Sequence, residues 1–130
     1  GDSSLIEALN RVKNSFNSYT LDRLAIKAGI EAFKDEEYFQ KCRSMIISSR
    51  ERVTIKMKAM SFNVLESYAN FIFASHIEKK ADQLFKELKE NGILVRYFNK
   101  PKINNYLRIS IGSDEEMDSF LEILEQMVHG

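Results

Sequence analysis

Gly92-Ile93-Leu94-Val95-Arg96-Tyr97-Phe98 and, after a polar connection, Tyr106-Leu107-Arg108-Ile109-Ser110-Ile111-Gly112 decide how this chain folds. Each segment reads as a short apolar strand bounded by turn-forming residues, and each carries one arginine. A guanidinium is costly to hold among apolar strand residues unless an anion meets it. Two strand arginines joined by a polar loop therefore fit a site for a carboxylate or a phosphate. They also fit two outward-facing charges on a half-exposed sheet. Ser113-Asp114-Glu115-Glu116 follows at once with the form of a capping box. It opens a helix whose apolar stripe is Met117, Phe120, Leu121, Leu124 and Val128.

Working back from these strands, residues 79–91 are amphipathic, with Ala81, Leu84, Phe85 and Leu88 on one side and Asn91-Gly92 as the stop signal. Before that helix, Phe62-Asn63-Val64-Leu65 and Ala69-Asn70-Phe71-Ile72-Phe73-Ala74 read as two strands around Glu66-Ser67-Tyr68. The first half is helical. Ser4-Leu5-Ile6-Glu7 predicts a capped helix with Leu5, Leu9 and Val12 on one face. Thr20 is the candidate cap of a second helix carrying Leu21, Leu24, Ala25 and Ala28. Asp35 is the candidate cap of a third, with the stripe Phe39, Cys42, Ile46, Val53, Met57 and Met60 and Ser49 filling one turn. The order is three helices, two strands, helix, two strands, helix. This predicts an α/β fold: a four-stranded sheet with helices packed on one face, preceded by two lead-in helices.

A chain of 130 residues is long enough for one respectable core. Lys+Arg and Asp+Glu are 19 each, a balance that does not call for nucleic acid or an acidic partner. The single cysteine, Cys42, cannot form an intramolecular disulfide, which suits a reducing compartment such as the cytoplasm. Apolar runs are too short for a membrane span or a signal peptide. The chain opens Gly1-Asp2 without methionine, which fits a processed chain or a piece of a longer protein.

No complete catalytic constellation is visible. His76, read as a loop residue, and the near-terminal His129 lack partners at ligand spacing, so no metal site is expected. Cys42 lies on an apolar helix stripe and reads as core filling. The acidic runs Asp35-Glu36-Glu37 and Asp114-Glu115-Glu116 suit helix N-termini. No Gly-rich phosphate loop or nucleophile elbow is present.

Several segments together carry a resemblance. Asn14-Ser15-Phe16-Asn17-Ser18-Tyr19-Thr20-Leu21-Asp22, Tyr68-Ala69-Asn70-Phe71-Ile72-Phe73, Gly92-Ile93-Leu94-Val95-Arg96 and Tyr106 to Ser113 with Glu115-Glu116 follow in order and spacing. From about Leu5 to Val128 the chain resembles the C-terminal small domain of a class I/II pyridoxal-phosphate-dependent aminotransferase, a fold-type I enzyme. The Asn14–Asp22 segment and Arg96-Tyr97-Phe98-Asn99-Lys100-Pro101 resemble its histidinol-phosphate branch. One departure is Ser61, where the family has glycine in a turn.

The resemblance implies roles for particular residues. Arg108 matches the arginine that binds the substrate α-carboxylate. Arg96 matches a second arginine near the far end of the substrate, which carries phosphate in the histidinol-phosphate branch. Asn17 and Asn70 lie in segments that approach the substrate. The resemblance further implies a parent transaminase, a cytoplasmic homodimer in histidine biosynthesis, moving the amino group of histidinol phosphate to 2-oxoglutarate. Its Schiff-base lysine, cofactor-phosphate groups and pyridine-binding aspartate belong to an N-terminal large domain. Their motifs are not in this sequence, and Lys100 is not in the family's lysine segment. Pyridoxal 5'-phosphate is thus expected in the parent and not held firmly by this chain, which alone is expected to be inactive. In domain terms, residues 1–34 are expected to be helices connecting to the large domain, and residues 35–130 the small domain. With the large domain missing, apolar surface on residues 1–34 is expected to be exposed or covered by another copy. Strands are expected near 62–65, 69–75, 93–98 and 106–111. Other readings of the same residues are a related phosphothreonine decarboxylase, a small regulatory ligand-binding module, or an RNA-binding sheet using Arg96, Lys100, Lys102 and Arg108 with Tyr97, Phe98 and Tyr106.

Overall fold

A computed structural model of the chain describes residues 1–16, 19 and 21–129. The helical periodicities become α1 (Ser3–Phe16), α2 (Arg23–Lys34), α3 (Glu36–Ala59), α4 (Ala81–Glu90) and α5 (Asp114–His129). The alternating segments become β1 (Phe62–Val64), β2 (Phe71–His76), β3 (Arg96–Tyr97) and β4 (Leu107–Ser110). The expected element order is the observed one. The chain divides into two compact units, Gly1–Phe39 and Gln40–Gly130.

In the first unit the helix starts are set by aspartates. Ser4 N–H donates to Asp2 Oδ1 at 2.8 Å, so α1 is capped by Asp2 and not by the Ser4–Glu7 box. Glu7 instead accepts from Arg11 one turn on. Asp22 caps α2, accepting from Ala25 N–H at 2.8 Å. The expected cap, Thr20, lies outside the described residues. Asp35 begins α3 as expected, accepting from Tyr38 N–H at 3.1 Å. The apolar stripe of α1, with Leu5, Leu9 and Val12, is exposed, as is Leu24 of α2.

In the second unit the strand order is β1-β2-β4-β3, and every neighbouring pair is antiparallel. Two hairpin-like halves, β1–β2 and β3–β4, meet at the central β2–β4 pair, with α4 as the crossover. The register aligns Val64 with Ala74, Ala74 with Leu107, and Leu107 with Tyr97 in one row. Ile72 and Ile109 form the next. Successive strand residues point to opposite faces, so these rows share one face. There Val64, Ile72, Ala74, Leu107 and Ile109 are buried, and Tyr97 half-buried, against Val53, Met57, Leu84, Leu88, Phe120 and Leu124 of the helices.

The chain leaves α4 through a glycine-dependent reversal. Gly92 has φ 79°, its N–H donates to Lys89 O, and Ile93 N–H donates to Leu88 O at 2.8 Å. This is the Schellman bond pair, and Ile93 packs back on the core. The reversal carries residues 93–95 along β4 without ladder pairing. The strand expected over 93–98 is therefore paired only at Arg96–Tyr97. A groove of about 450 Å³, lined by Ile93, Val95, Ile109, Met117 and Phe120 among others, lies between this segment and β4–α5. His76 is not a loop residue. It ends β2, paired with Phe62, and is buried. Its Nδ1 accepts from the N–H groups of Glu78 (3.1 Å) and Lys79 (3.0 Å), which puts the ring proton on Nε2.

Side-chain clamps tie α3 to α5. Buried Ser49 donates to Asp114 Oδ1 at 2.6 Å, and Arg52 donates to Asp114 at 3.0 Å and also to Asp118. Ser113 and Glu116 exchange the two bonds of the expected capping box. The hydrogen bonds from Ser49 and then Arg52 hold the Asp114 carboxyl below its ordinary value. A depressed folded-state value contributes stability above the unfolded value of about 4 and loses it as pH falls through the folded value. Asp114→Asn is therefore expected to lower the melting temperature at neutral pH. The gap should narrow on acidification; an equal gap in strong acid would show that the charge contributes nothing.

Ser61 turns the chain from α3 into β1 at φ 64°, a left-handed conformation that a side chain opposes. Ser61→Gly is expected to stabilise the second unit by up to about 1 kcal/mol, the relieved strain less the entropy glycine adds to the unfolded chain. The measurement is a higher urea midpoint at unchanged slope, and a lower midpoint would refute the strain.

Candidate functional site

The sheet face opposite the core is built by strand parity. Residues two apart share a face, so Phe71, Phe73 and Ser75 of β2 point away from the core, with Arg108 and Ser110 of β4 and Arg96 of β3. Phe98 and Tyr106 extend the same alternation just beyond the strand ends. Arg96, Arg108, Phe71 and Ser110 are exposed, while Phe73, Phe98 and Tyr106 are half-buried.

The register brings the two arginines together. Phe73 is aligned with Arg108, and Arg108 with Arg96, in one row across three strands. Directly opposed residues in an antiparallel pair have Cα atoms roughly 4.5–5.5 Å apart. Like charges at such positions repel. Among the described residues the ion pairs go to other arginines, Arg11 and Arg52, and to Lys34. What meets the guanidinium groups of Arg96 and Arg108 is aromatic. Arg96 Cζ lies 5.4 Å from the Phe98 ring centroid. Arg108 Cζ lies 5.5 Å from that of Phe71 and 6.0 Å from that of Phe98. Beside them Phe73 and Tyr106 stack at 4.8 Å with ring planes 12° apart. Two adjacent cations with no carboxylate ion pair among the described residues, framed by rings, have the chemistry to meet an anion whose other end lies against an apolar surface.

The loop after β3 is held in shape by its own turns and one long-range bond. Lys100 N–H donates to Phe98 O, Ile103 N–H to Lys100 O, and Tyr106 N–H to Ile103 O. Asn105 Oδ1 accepts from Ala81 N–H at 3.1 Å. The residue at the N-cap position of α4 is Lys80, whose side chain makes no capping bond, so Asn105 supplies the cap from a distant part of the chain. This fixes the loop three residues before Arg108.

The remaining expected site residues lie differently. Asn70 is exposed just before β2, and its carbonyl accepts from Ile111 N–H at 2.9 Å. That is three residues along the strand from the Phe73–Arg108–Arg96 row. Asn17 lies outside the described residues. Lys100 is exposed in the loop. Sequence reasoning did not find Asn105 or Phe71, and it grouped Phe98 and Tyr106 with the two arginines only in the RNA-binding reading. For the rings a signal was present in the spacings Phe71-x-Phe73, Arg96-x-Phe98 and Tyr106-x-Arg108. Asn105 gave none, because its partner is 24 residues away. Among the described residues no group of His, Cys, Asp and Glu could hold a metal ion, and no helix is long and apolar enough to cross a membrane.

Known proteins are similar to this chain in sequence and in fold. The profile of the family described as aminotransferase class I and II matches residues 1–124, and the chain belongs to that family. Among its curated relatives is a histidinol-phosphate aminotransferase of Clostridium acetobutylicum, 53% identical over 128 residues, 98% of this chain and 36% of that protein. Another, from Brachyspira hyodysenteriae, is 51% identical over 128 residues, with the same two coverages of 98% and 36%. The fold matches a crystal structure of histidinol-phosphate aminotransferase from Sinorhizobium meliloti in complex with pyridoxal-5'-phosphate. There the TM-score is 0.77 at 24% identity, over 92% of this chain and 33% of that one. The chain thus spans about a third of the length of the curated relatives it matches.

The cap from Asn105 is testable apart from any activity. Asn105→Ala is expected to cost about 1 kcal/mol, the usual loss on removing an N-cap oxygen, whereas Asn105→Asp keeps the acceptor and the stability. Chemical denaturation of the three proteins measures this. Equal destabilisation by alanine and aspartate would show that the bond to Ala81 does not hold the loop.

Proposed function

We propose that this chain is the substrate-binding small domain of a histidinol-phosphate aminotransferase. The observation that carries the reading is the cross-strand pair Arg96–Arg108 on the open sheet face. The proposed reaction of the parent enzyme converts histidinol phosphate and 2-oxoglutarate to imidazole acetol phosphate and glutamate. Histidinol phosphate bears one anionic group, its phosphate, whereas glutamate bears two carboxylates, of which the α-carboxylate is the one offered to this pair. Arg108, aligned with Phe73 in the middle of the sheet, takes the α-carboxylate of the amino-acid donor. Arg96 is its direct neighbour, so it supplies the second cation that a phosphate dianion requires. The two arginines then serve one substrate end in turn, holding the reacting carbon in place.

Pyridoxal 5'-phosphate would supply the electron sink for transamination in the parent. The cations of this chain's open sheet face do not fit the covalent part of that role, because a guanidinium forms no imine as a lysine amine does. Lys100 stands exposed in its loop. The lysine is therefore assigned to the remainder of the parent polypeptide, and the work of this chain is substrate binding. With that assignment the isolated chain is expected to be inactive, and the family resemblance implies that the parent is a cytoplasmic homodimer.

In the full-length parent, Arg108→Ala is expected to lower kcat/KM at least ~30-fold for both glutamate and histidinol phosphate, the effect of deleting one partner of a charge-assisted pair worth roughly 2–4 kcal/mol. Arg96→Ala should weaken histidinol phosphate more than glutamate, since a single carboxylate group needs the second cation less than a phosphate dianion does. Arg108→Lys should restore little, because an ammonium cannot reproduce the guanidinium fork. Steady-state kinetics with each donor decides. Equal losses for both donors in both alanine variants would remove the division of roles, and an unchanged Arg108→Ala enzyme would remove the proposal.

A further inference from the structure

Two guanidinium groups on directly opposed residues have no carboxylate among the described residues to hold them apart or together. Flexible side chains in that position are expected to splay into water and to converge again only at an entropic cost when an anion arrives. The Phe98 ring alters this. It sits two residues after Arg96 on the same face, half-buried, with Arg96 Cζ at 5.4 Å and Arg108 Cζ at 6.0 Å from its centroid. One ring therefore faces both cations. Its quadrupole attracts each of them, which offsets part of their mutual repulsion. A guanidinium lying against a ring also keeps the N–H donors along its edge available to an oxyanion. Phe71 contributes a second ring to Arg108, at 5.5 Å.

We propose that Phe98 is a positioning residue that gathers Arg96 and Arg108 into one pre-formed anion receptor. The inference rests on the reading of the arginine pair as the substrate-anion site. It goes further by assigning the convergence of the pair to a residue that need not touch the substrate. The π face of Phe98, and not its bulk, is the property that matters.

The test uses the 130-residue chain titrated with inorganic phosphate, following the Nε–Hε resonances of Arg96 and Arg108 by NMR. Phe98→Leu keeps an apolar side chain and removes the ring; it is expected to weaken phosphate binding about two- to fivefold, the span of an exposed cation–π contact. Phe98→Trp, with the strongest ring quadrupole, should bind phosphate as tightly as the unsubstituted chain or more tightly. A merely structural role would move the melting temperature without this ordering. Arg108→Ala is the control for the site and should lose the phosphate response. If Arg108→Ala binds as before, or the unsubstituted chain shows no phosphate-dependent shift at either arginine, the anion site and this inference fall together. If Arg108→Ala loses binding while Phe98→Leu keeps it, the site stands and the role of Phe98 is overturned. Should the leucine variant not fold, the tryptophan variant decides. Matched or tighter binding supports the proposal, and weaker binding overturns it.

Discussion

The pairing of β2 with β4 is the contact on which the second unit depends. These strands are far apart in sequence, and α4 lies between them. Their register, Phe71 with Ser110 through Ala74 with Leu107, joins the two outer strands into one sheet. It sets Ile72 beside Ile109 and Ala74 beside Leu107 on the face that the helices cover. Because side chains alternate, the same register places Phe71, Phe73, Arg108 and Ser110 on the other face. A slip of one residue would bury Arg108 in the core and expose Ile109. The hydrophobic demand of one face thus specifies the polar arrangement of the other.

Each helix contact then supports that sheet from a different direction. Ser49, Arg52, Asp114 and Asp118 tie α3 to α5 close to the capping box that follows β4. Asn105 ties the loop before β4 to the start of α4. The strand that carries Arg108 is therefore anchored at both ends by side-chain bonds, while its middle is held by two strand neighbours. A cation on such a strand has a fixed backbone, and the freedom left to it is that of its own rotamers. This is the arrangement expected of a site placed on a rigid element instead of a loop.

Much of this fold was legible from periodicity. The β4 segment shows clean alternation, and Ser113-x-x-Glu116 announces α5 by a bond pair that the structure contains. The chain from Gly92 to Phe98 shows where the reading stops. Its apolar residues suggest a strand of normal length, but the bonds that close α4 through Gly92 and Ile93 direct residues 93–95 away from ladder pairing. Local helix termination outweighed β propensity there. Ser4 lost its capping role to Asp2 because an aspartate two residues earlier met the first free N–H groups. His76 looked like a loop residue because nothing local reveals that Phe62 will face it across a strand pair. For the site, the two arginines could be chosen from the sequence, and their adjacency could not. Adjacency is a property of register, which is set by the whole sheet.

The shortness of the outer strands has a consequence of its own. β1 has three residues and β3 two, so each margin of the sheet offers few unpaired backbone groups in line. A face bearing Phe71, Phe73, Phe98 and Tyr106 would be hazardous on a sheet with long flat margins. Neighbouring chains could then add strand upon strand and build outward into fibrils. Here the ladder ends almost as soon as it begins on both sides, and two arginines repel any identical face brought against them. Strand-on-strand growth is discouraged by geometry at the rims and by charge in the middle of the aromatic face.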